Sequence, residues 1–471
     1  MTGPADLHQG DSMNLSNSAA DLEAADTTFH FHSQTDAVRH LEAGPLMIAR
    51  GSGPYVFDVR GRRYLDSVAS LWCASLGFSD ARLAAAGARA LETLPVYHTF
   101  NHRSNPYAAE LARAVSALAP MDGARVFFTD GGSEAIDTMV KMAWYYHSAR
   151  GESSRRKIIA RHGAFHGSTV MAARISGLPL MHKSFNLPDC SVIHTGRPHY
   201  YRDALPGESE AEFVARLARE LEEVILGEGP ETIAAFIAEP VMGAGGVIVP
   251  PQGYLPAMHA VVKRHGVLFL SDEIICGFGR TGNWFGCQTF GIEPDMMSVA
   301  KGLSSGYAPI GGVVLSSPVF EAISEESCRN GVFSHGFTYS GHPVSAAIAV
   351  EALRIYGEME LPDVATCLGR KLAAALETVA EHPLIGNVRT CGFLAGVELV
   401  ADRRSREPFP PERKVGAMVE RKTREYGVIV RNLGDTIALC PPFILSEDEV
   451  EFVVSGLGRA LDDVQAELSA N

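Results

Sequence analysis

The sequence predicts an α/β protein with a mainly parallel central sheet. Two patterns carry that expectation. Short apolar runs, each the length of a strand, alternate with stretches of helical periodicity. Two of those runs also end at residues capable of chemistry, Asp272 and Lys301, as buried parallel strands do when ligands bind at their carboxyl ends. At 471 residues the chain is too long for one core, so two or three domains are expected.

The elements follow in order. Residues 1–25 are polar, acidic and rich in Ser, Asn and Ala, which predicts a mobile tail. Regular patterning begins at Thr35. Residues 125–129 are predicted as a strand and 134–146 as a helix. Further strands are expected over 157–160, 232–238, 267–271 and 296–300. Between them, a helix over 211–226 places Val214, Leu217, Leu221 and Ile225 on one stripe. After about Val344 the pattern turns to long helices with short strands, which suggests a smaller C-terminal domain.

Composition excludes several classes. Hydrophobic residues make up 46% and charged residues 20%, as in a soluble enzyme. A net charge of −14 argues against nucleic acid or an anionic membrane as partner. No run of 18 apolar residues predicts a transmembrane helix, and no basic-then-apolar N-terminus predicts a secretory signal. The eight cysteines form no C-x-x-C pair and have no histidine at zinc-ligand spacing. They are expected to be reduced, mostly buried thiols in a cytoplasmic protein. The seventeen histidines include no H-E-x-x-H, so no metal site is expected.

Lys301 is the first candidate for chemistry. It follows an apolar run and is flanked by small residues, in Ser298-Val-Ala-Lys-Gly-Leu-Ser304. Burial at a strand end disfavours its ammonium and leaves an amine able to form a Schiff base with a carbonyl compound or pyridoxal phosphate. Alone, such a lysine is more often a surface residue. Asp272, which ends the run from Val267 to Ser271, changes the balance. An aspartate there can pair with a protonated ring nitrogen, which a pyridoxal enzyme needs for its electron sink.

The stretch Gly277-Phe-Gly-Arg-Thr-Gly282 matches G-x-G-x-x-G, but Asn283-Trp-Phe-Gly286 after it is poor helix sequence, and Glu293 and Asp295 come too early for the ribose acid. A nicotinamide site is rejected, and the glycines are expected to let a turn pass close to other backbone. Thr129-Asp-Gly-Gly-Ser-Glu-Ala135 links a strand to a helix and can cradle phosphate on free N–H groups; Gly132 and Ser133 are assigned that contact, not the carboxylate of Asp130.

These motifs resemble the class III aminotransferases, which are fold-type I pyridoxal phosphate enzymes. The resemblance rests on Asp272-Glu with Gly277-Phe-Gly-Arg-Thr-Gly282, on Pro294-Asp295, and on Lys301-Gly302. It extends through the run from Gly51 to Asp66, Leu71-Trp72, Glu239-Pro-Val-Met-Gly, His335-Gly-Phe-Thr-Tyr-Ser-Gly-His-Pro343 and Arg431 with Gly434-Asp435. It spans about 36–463 and is nearest the amine:pyruvate and omega-amino-acid transaminases.

The resemblance implies a large cofactor domain over 78–343 and a small domain built from both chain ends, 26–77 and 344–471. It implies pyridoxal 5'-phosphate on Lys301, Phe165 stacked on the ring where the family usually has tyrosine, Ile274 on the opposite face, and Glu239 and His166 beside it. Thr338, preceded by Phe337, would reach the phosphate of a second subunit, making a homodimer, with a dimer of dimers open. Leu71, Trp72 and Phe100 would wall the substrate pocket, and Arg431 would take the carboxylate of a keto acid or swing away. The implied reaction moves an amino group from a primary amine or omega-amino acid to a keto acid such as pyruvate, by ping-pong exchange through the pyridoxamine form. A family member with aminomutase or decarboxylating chemistry, and a non-catalytic pyridoxal-binding regulator, are the alternatives.

Overall fold

The computed structural model describes residues 18–188 and 191–470. Its centre is a seven-stranded sheet. The strands run in the order Arg125–Thr129, Gly311–Leu315, Met296–Val299, Leu268–Asp272, Ile233–Ala238, Lys157–Arg161 and Val192–Thr195. Gly311–Leu315 is antiparallel to both its neighbours; every other pairing is parallel. The expected α/β class is therefore what the chain adopts. All five predicted strands form, with ends shifted by at most two residues.

Side chains alternate between the two faces of this sheet, and both faces are covered. Ile158, Ile237, Leu270 and Met296 pack with Ile136, Met139 and Val140 of the helix Gly132–Ala149. Ile159, Phe236, Phe269 and Met297 join the core that holds Phe213, Leu217, Leu221 and Ile225 of the helix Glu210–Glu228. The predicted stripe is thus buried. Ser209 caps this helix and Glu212 returns the bond to the Ser209 N–H, which fixes its start.

Two smaller sheets complete the fold. One joins Ile48–Ser52, Tyr55–Asp58 and Arg63–Asp66 to Val428–Ile429, so the two ends of the chain meet in register at Leu65 and Val428. The other is antiparallel and contains Ile385–Cys391, Leu394–Leu399, Thr436–Leu439 and Arg431–Leu433.

A buried ionic network bolts this second sheet to the large one. Glu398 accepts from Arg389 and Arg202 and stands 3.1 Å from His199 Nε2. Arg389 also donates to the carbonyls of Gly246, at 2.7 Å, and Val247, at 3.2 Å. Burial alone would raise the Glu398 carboxyl, but His199, Arg389 and Arg202 outweigh it and hold its pKa well below the usual range. A carboxyl depressed on folding stabilises above its unfolded pKa and loses that contribution as pH falls towards its folded value. Glu398→Gln should therefore cost about 3 kcal/mol at neutral pH, because Arg389 keeps a buried charge without its partner. Thermal melts should show the gap between wild type and variant closing below about pH 4. An equal gap at every pH would count against this account.

Three expectations are corrected here. The tail does not reach Ala25, because a helix spans Ala19–Phe29, capped reciprocally by Ser18 and Asp21; residues 1–17 lie outside the described part. The thiols are less buried than expected. Cys276, Cys287 and Cys440 are buried, Cys73 and Cys391 are partly so, and Cys328 and Cys367 are exposed. Cys190 is not among the described residues. A strand over Gly311–Leu315 was not predicted, since its two glycines weaken the apolar signal.

Candidate active site

Four strands deliver the site from one edge of the sheet. Asp272 ends one strand and faces Ser298 across the ladder to the next. Lys301 follows that second strand by two residues, Glu239 directly follows a third, and the turn Asp130-Gly131 follows a fourth. These parallel carboxyl ends converge on a cavity of about 370 Å³. Gly132, Ser133, Phe165, His166, Glu239, Asp272, Ile274 and Lys301 all line it.

Burial lowers the pKa of the Lys301 amine, against the opposing pull of Asp272 and Glu239. The backbone of Lys301 sits in the left-handed region, at φ +44°, and opens a short 3-10 turn. Asp272 is held by three bonds. His166 Nδ1 lies 2.7 Å from its Oδ2, while Ser298 Oγ and the Ile274 N–H each donate to Oδ1 at 3.1 Å. This fixes the carboxylate and sets the His166 tautomer with its proton on Nδ1. His166 Nε2 is left buried without a partner.

Glu239 accepts from the Phe165 N–H at 3.1 Å and the Gly243 N–H at 2.9 Å, and burial raises its carboxyl pKa. The helix that begins at Gly132 has no side-chain cap at its N-terminus, so its first N–H groups are free for an anion. A Cβ on Gly132 would come within 2.9 Å of Ile274 Cδ1, so a larger residue would press on the ring of groups around the cavity. Ser133 Oγ accepts from the Ser168 N–H at 3.0 Å, which ties the following loop to this turn. Asp130 also lines the cavity; burial, then Glu134, pushes its carboxyl upward, and Oδ1 has no partner.

A lysine amine, a ring-nitrogen partner and an anion cradle around one cavity fit pyridoxal phosphate. The Gly277–Gly282 motif serves a different purpose, since the helix nearest after it has only four residues, Gly286–Thr289. Gly279 and Gly282 have positive φ, and the turn passes so near the backbone of Gly392 that Phe393 N–H bonds the Arg280 carbonyl at 3.0 Å.

Six expected site residues do not line this cavity. Trp72 is buried in a cluster with Val241 and Cys276, two residues that do. Leu71 is half exposed. Both ride a strained turn, with Ala69, Ser70 and Trp72 at positive φ. Asp66 holds that turn by accepting from the Val68 N–H at 2.9 Å and the Ser70 N–H at 2.8 Å. Arg431 is half-buried, its Nε enclosed without a partner. Phe100 is the clearest departure. It lies against Gly336, on a separate concavity with Phe127 and Phe333. Neither Phe337 nor Thr338 lines the cavity that holds Lys301.

Sequence reasoning missed Ser298 and Glu273. Ser298 had a signal, since it sits three residues before Lys301 in a strand that must neighbour Asp272. Glu273 is fully buried and accepts from the Gly286 and Cys287 N–H groups, both at 2.7 Å. It had no sequence signal beyond its place beside Asp272.

Comparison with known proteins agrees with this geometry. The family model described as aminotransferase class-III matches residues 37–461. The chain is similar to gamma aminobutyrate transaminase 3, chloroplastic, of Solanum lycopersicum, with 48% identity over 89% of this chain and 81% of that one. It is similar also to vanillin aminotransferase of Capsicum frutescens, with 46% identity over 89% and 92%. The structure of the omega transaminase from Pseudomonas jessenii in complex with PMP superposes with a TM-score of 0.94 at 47% identity, covering 95% of this chain and 99% of that one. No described helix is long and apolar enough to cross a membrane. Matched along most of its length, and with a lysine and a buried aspartate set at adjacent strand ends, the chain belongs to the class III aminotransferases and is a pyridoxal-phosphate-dependent transaminase.

Proposed function

We propose that this transaminase passes the amino group of a primary amine or omega-amino acid to pyruvate, and that Arg431 lets one pocket accept both. The observation that carries this reading is the Arg431 guanidinium, half-buried, with Nε enclosed and unpartnered. Burial lowers its pKa, against Glu420. A desolvated guanidinium gains most from a bidentate carboxylate, and its long stem can turn aside for an apolar group. Two relatives of nearly equal identity are named for γ-aminobutyrate, an omega-amino acid, and for vanillin, an aryl aldehyde. A pocket serving both chemistries suits this chain.

When bound, the cofactor supplies the electrophilic carbon and the electron sink. The chain supplies the rest. Lys301 would hold the cofactor, and its amine would take the proton from the donor carbon. Asp272, oriented by His166 and Ser298, keeps the ring nitrogen protonated. Gly132 and Ser133 would hold the phosphate, and Phe165 and Ile274 would flank the ring. Thr338, with Phe337 and Phe100, completes the site of a second subunit, so the working unit is a homodimer. A cytoplasmic setting belongs to the same reading.

The test is an absorbance titration of the holoenzyme with 1-phenylethylamine and with 4-aminobutyrate, followed by pyruvate. The visible cofactor band should bleach with the amine and return with pyruvate. A band restored only by a different keto acid would sink the pyruvate assignment. Arg431→Ala should raise KM for pyruvate about 10- to 100-fold, the worth of a charged hydrogen-bonded pair, and change KM for 1-phenylethylamine far less. Equal effects on both would remove Arg431 from the carboxylate.

A further inference from the structure

At the N-terminal edge of the fold, three imidazoles crowd one carboxylate that the transaminase reaction does not use. Asp26 lies in the helix Ala19–Phe29, His40 lies in the helix Ala37–Ala43, and His30 and His32 lie in the link between. Asp26 Oδ2 is 2.8 Å from His32 Nε2 and 3.2 Å from His40 Nε2. Asp26 Oδ1 is 3.2 Å from His30 Nδ1. One ligand atom from each of Asp26, His32 and His40 lies within 4.8 Å of the other two.

The spacing suits an ion. A tetrahedral zinc with bonds of about 2.0–2.1 Å holds its ligand atoms roughly 3.3 Å apart. Two edges of the triangle are already at or inside that distance, so small side-chain shifts would seat a cation. Two imidazoles and a carboxylate form a donor set typical of zinc. The rings lie close and tilted to one another, with the His32 centroid 4.0 Å from that of His40 and 4.2 Å from that of His30.

The surroundings favour a ligand over plain hydrogen bonding. Neither helix buries a single side chain. With 11 and 7 residues, both are too short to persist without tertiary support. The link inverts the usual order of burial. Phe29 and Phe31 are 86% and 85% exposed, whereas the side chains of His32 and His40 are only 27% and 13% exposed. A segment that turns Phe29, Phe31 and His30 out while it holds His32 and His40 in needs a reward for those two imidazoles. A metal ion provides one.

We propose that Asp26, His32 and His40 bind one zinc ion per chain, with His30 as the neighbouring imidazole. The ion would close the link between the two helices. Through the Glu23–Arg60 ion pair it would also dock the first helix on the Tyr55–Asp66 hairpin. The site is structural, and none of its ligands lines the cavity that holds Lys301. No spacing rule flagged it, because its ligands sit six and eight residues apart, on two helices and the link between them.

Holoenzyme would be stripped with a chelator, desalted and titrated with zinc against a chromophoric competitor. The reference is the His32→Ala/His40→Ala double variant, so zinc held by thiols or by the cofactor phosphate cancels. The wild type should retain one equivalent more than the variant. Zinc should also slow proteolysis of the segment 18–43 in wild type only, with transaminase activity equal in the two proteins. Equal zinc retention in both would overturn the proposal, as would zinc protection of that segment in the variant.

Discussion

Lys301→Ala should lower turnover by about 10⁴-fold or more while leaving the fold and the cofactor phosphate contact in place. Two functions vanish together, the covalent hold on the cofactor and the base that moves the proton. Burial lowers the pKa of this amine, the direction that favours its nucleophilic and basic form. A small exogenous amine such as methylamine should restore part of the rate, since the truncated side chain leaves room for it. The measurement is single-turnover formation of the pyridoxamine form with 1-phenylethylamine. A variant within tenfold of wild type would remove Lys301 from the reaction.

Asp272→Asn should lower the rate of the same half-reaction by about 10²- to 10³-fold, the usual loss when one preorganised electrostatic partner is removed. The substitution isolates charge from shape. An asparagine carbonyl can keep the two bonds that Ser298 Oγ and the Ile274 N–H make to Oδ1. Its amide nitrogen would meet His166 Nδ1, 2.7 Å from the present Oδ2, and force the other tautomer. Cofactor content should stay near wild type, because the phosphate cradle is separate. If the half-reaction stayed within a few-fold, protonation of the ring nitrogen would not depend on Asp272.

Much of the central sheet was legible because its strands are continuous apolar runs, and such runs signal burial on both faces whatever the rest of the chain does. Val267–Ser271 and its neighbour Met296–Val299 are plain in that way, and they carry Asp272 and Lys301. What escaped has a physical reason in each case. Gly311–Leu315 lacks side chains at two of its five positions. The helix Ala19–Phe29 has no apolar stripe, because it buries nothing. Phe100 is an exposed aromatic beside a glycine, and a sequence does not say which cavity such a ring serves. The cavity residues themselves were found through motif resemblance more than through pattern. Glu239 and His166, for instance, carry no periodic signal.

The backbone at Lys301 has a consequence for the enzyme's durability. A residue with a Cβ at φ +44° carries strain that glycine would not. The amine proposed to do the chemistry is therefore mounted on a bend that the fold would prefer to build from another residue. Lys301→Gly should be dead as a catalyst and yet about 1 kcal/mol more resistant to heat than Lys301→Ala, with both measured without cofactor. Heat tolerance in this enzyme then cannot be raised at this strained point without losing the reaction. It has to come from elsewhere, and the surface helices at the start of the chain are the softest place to begin.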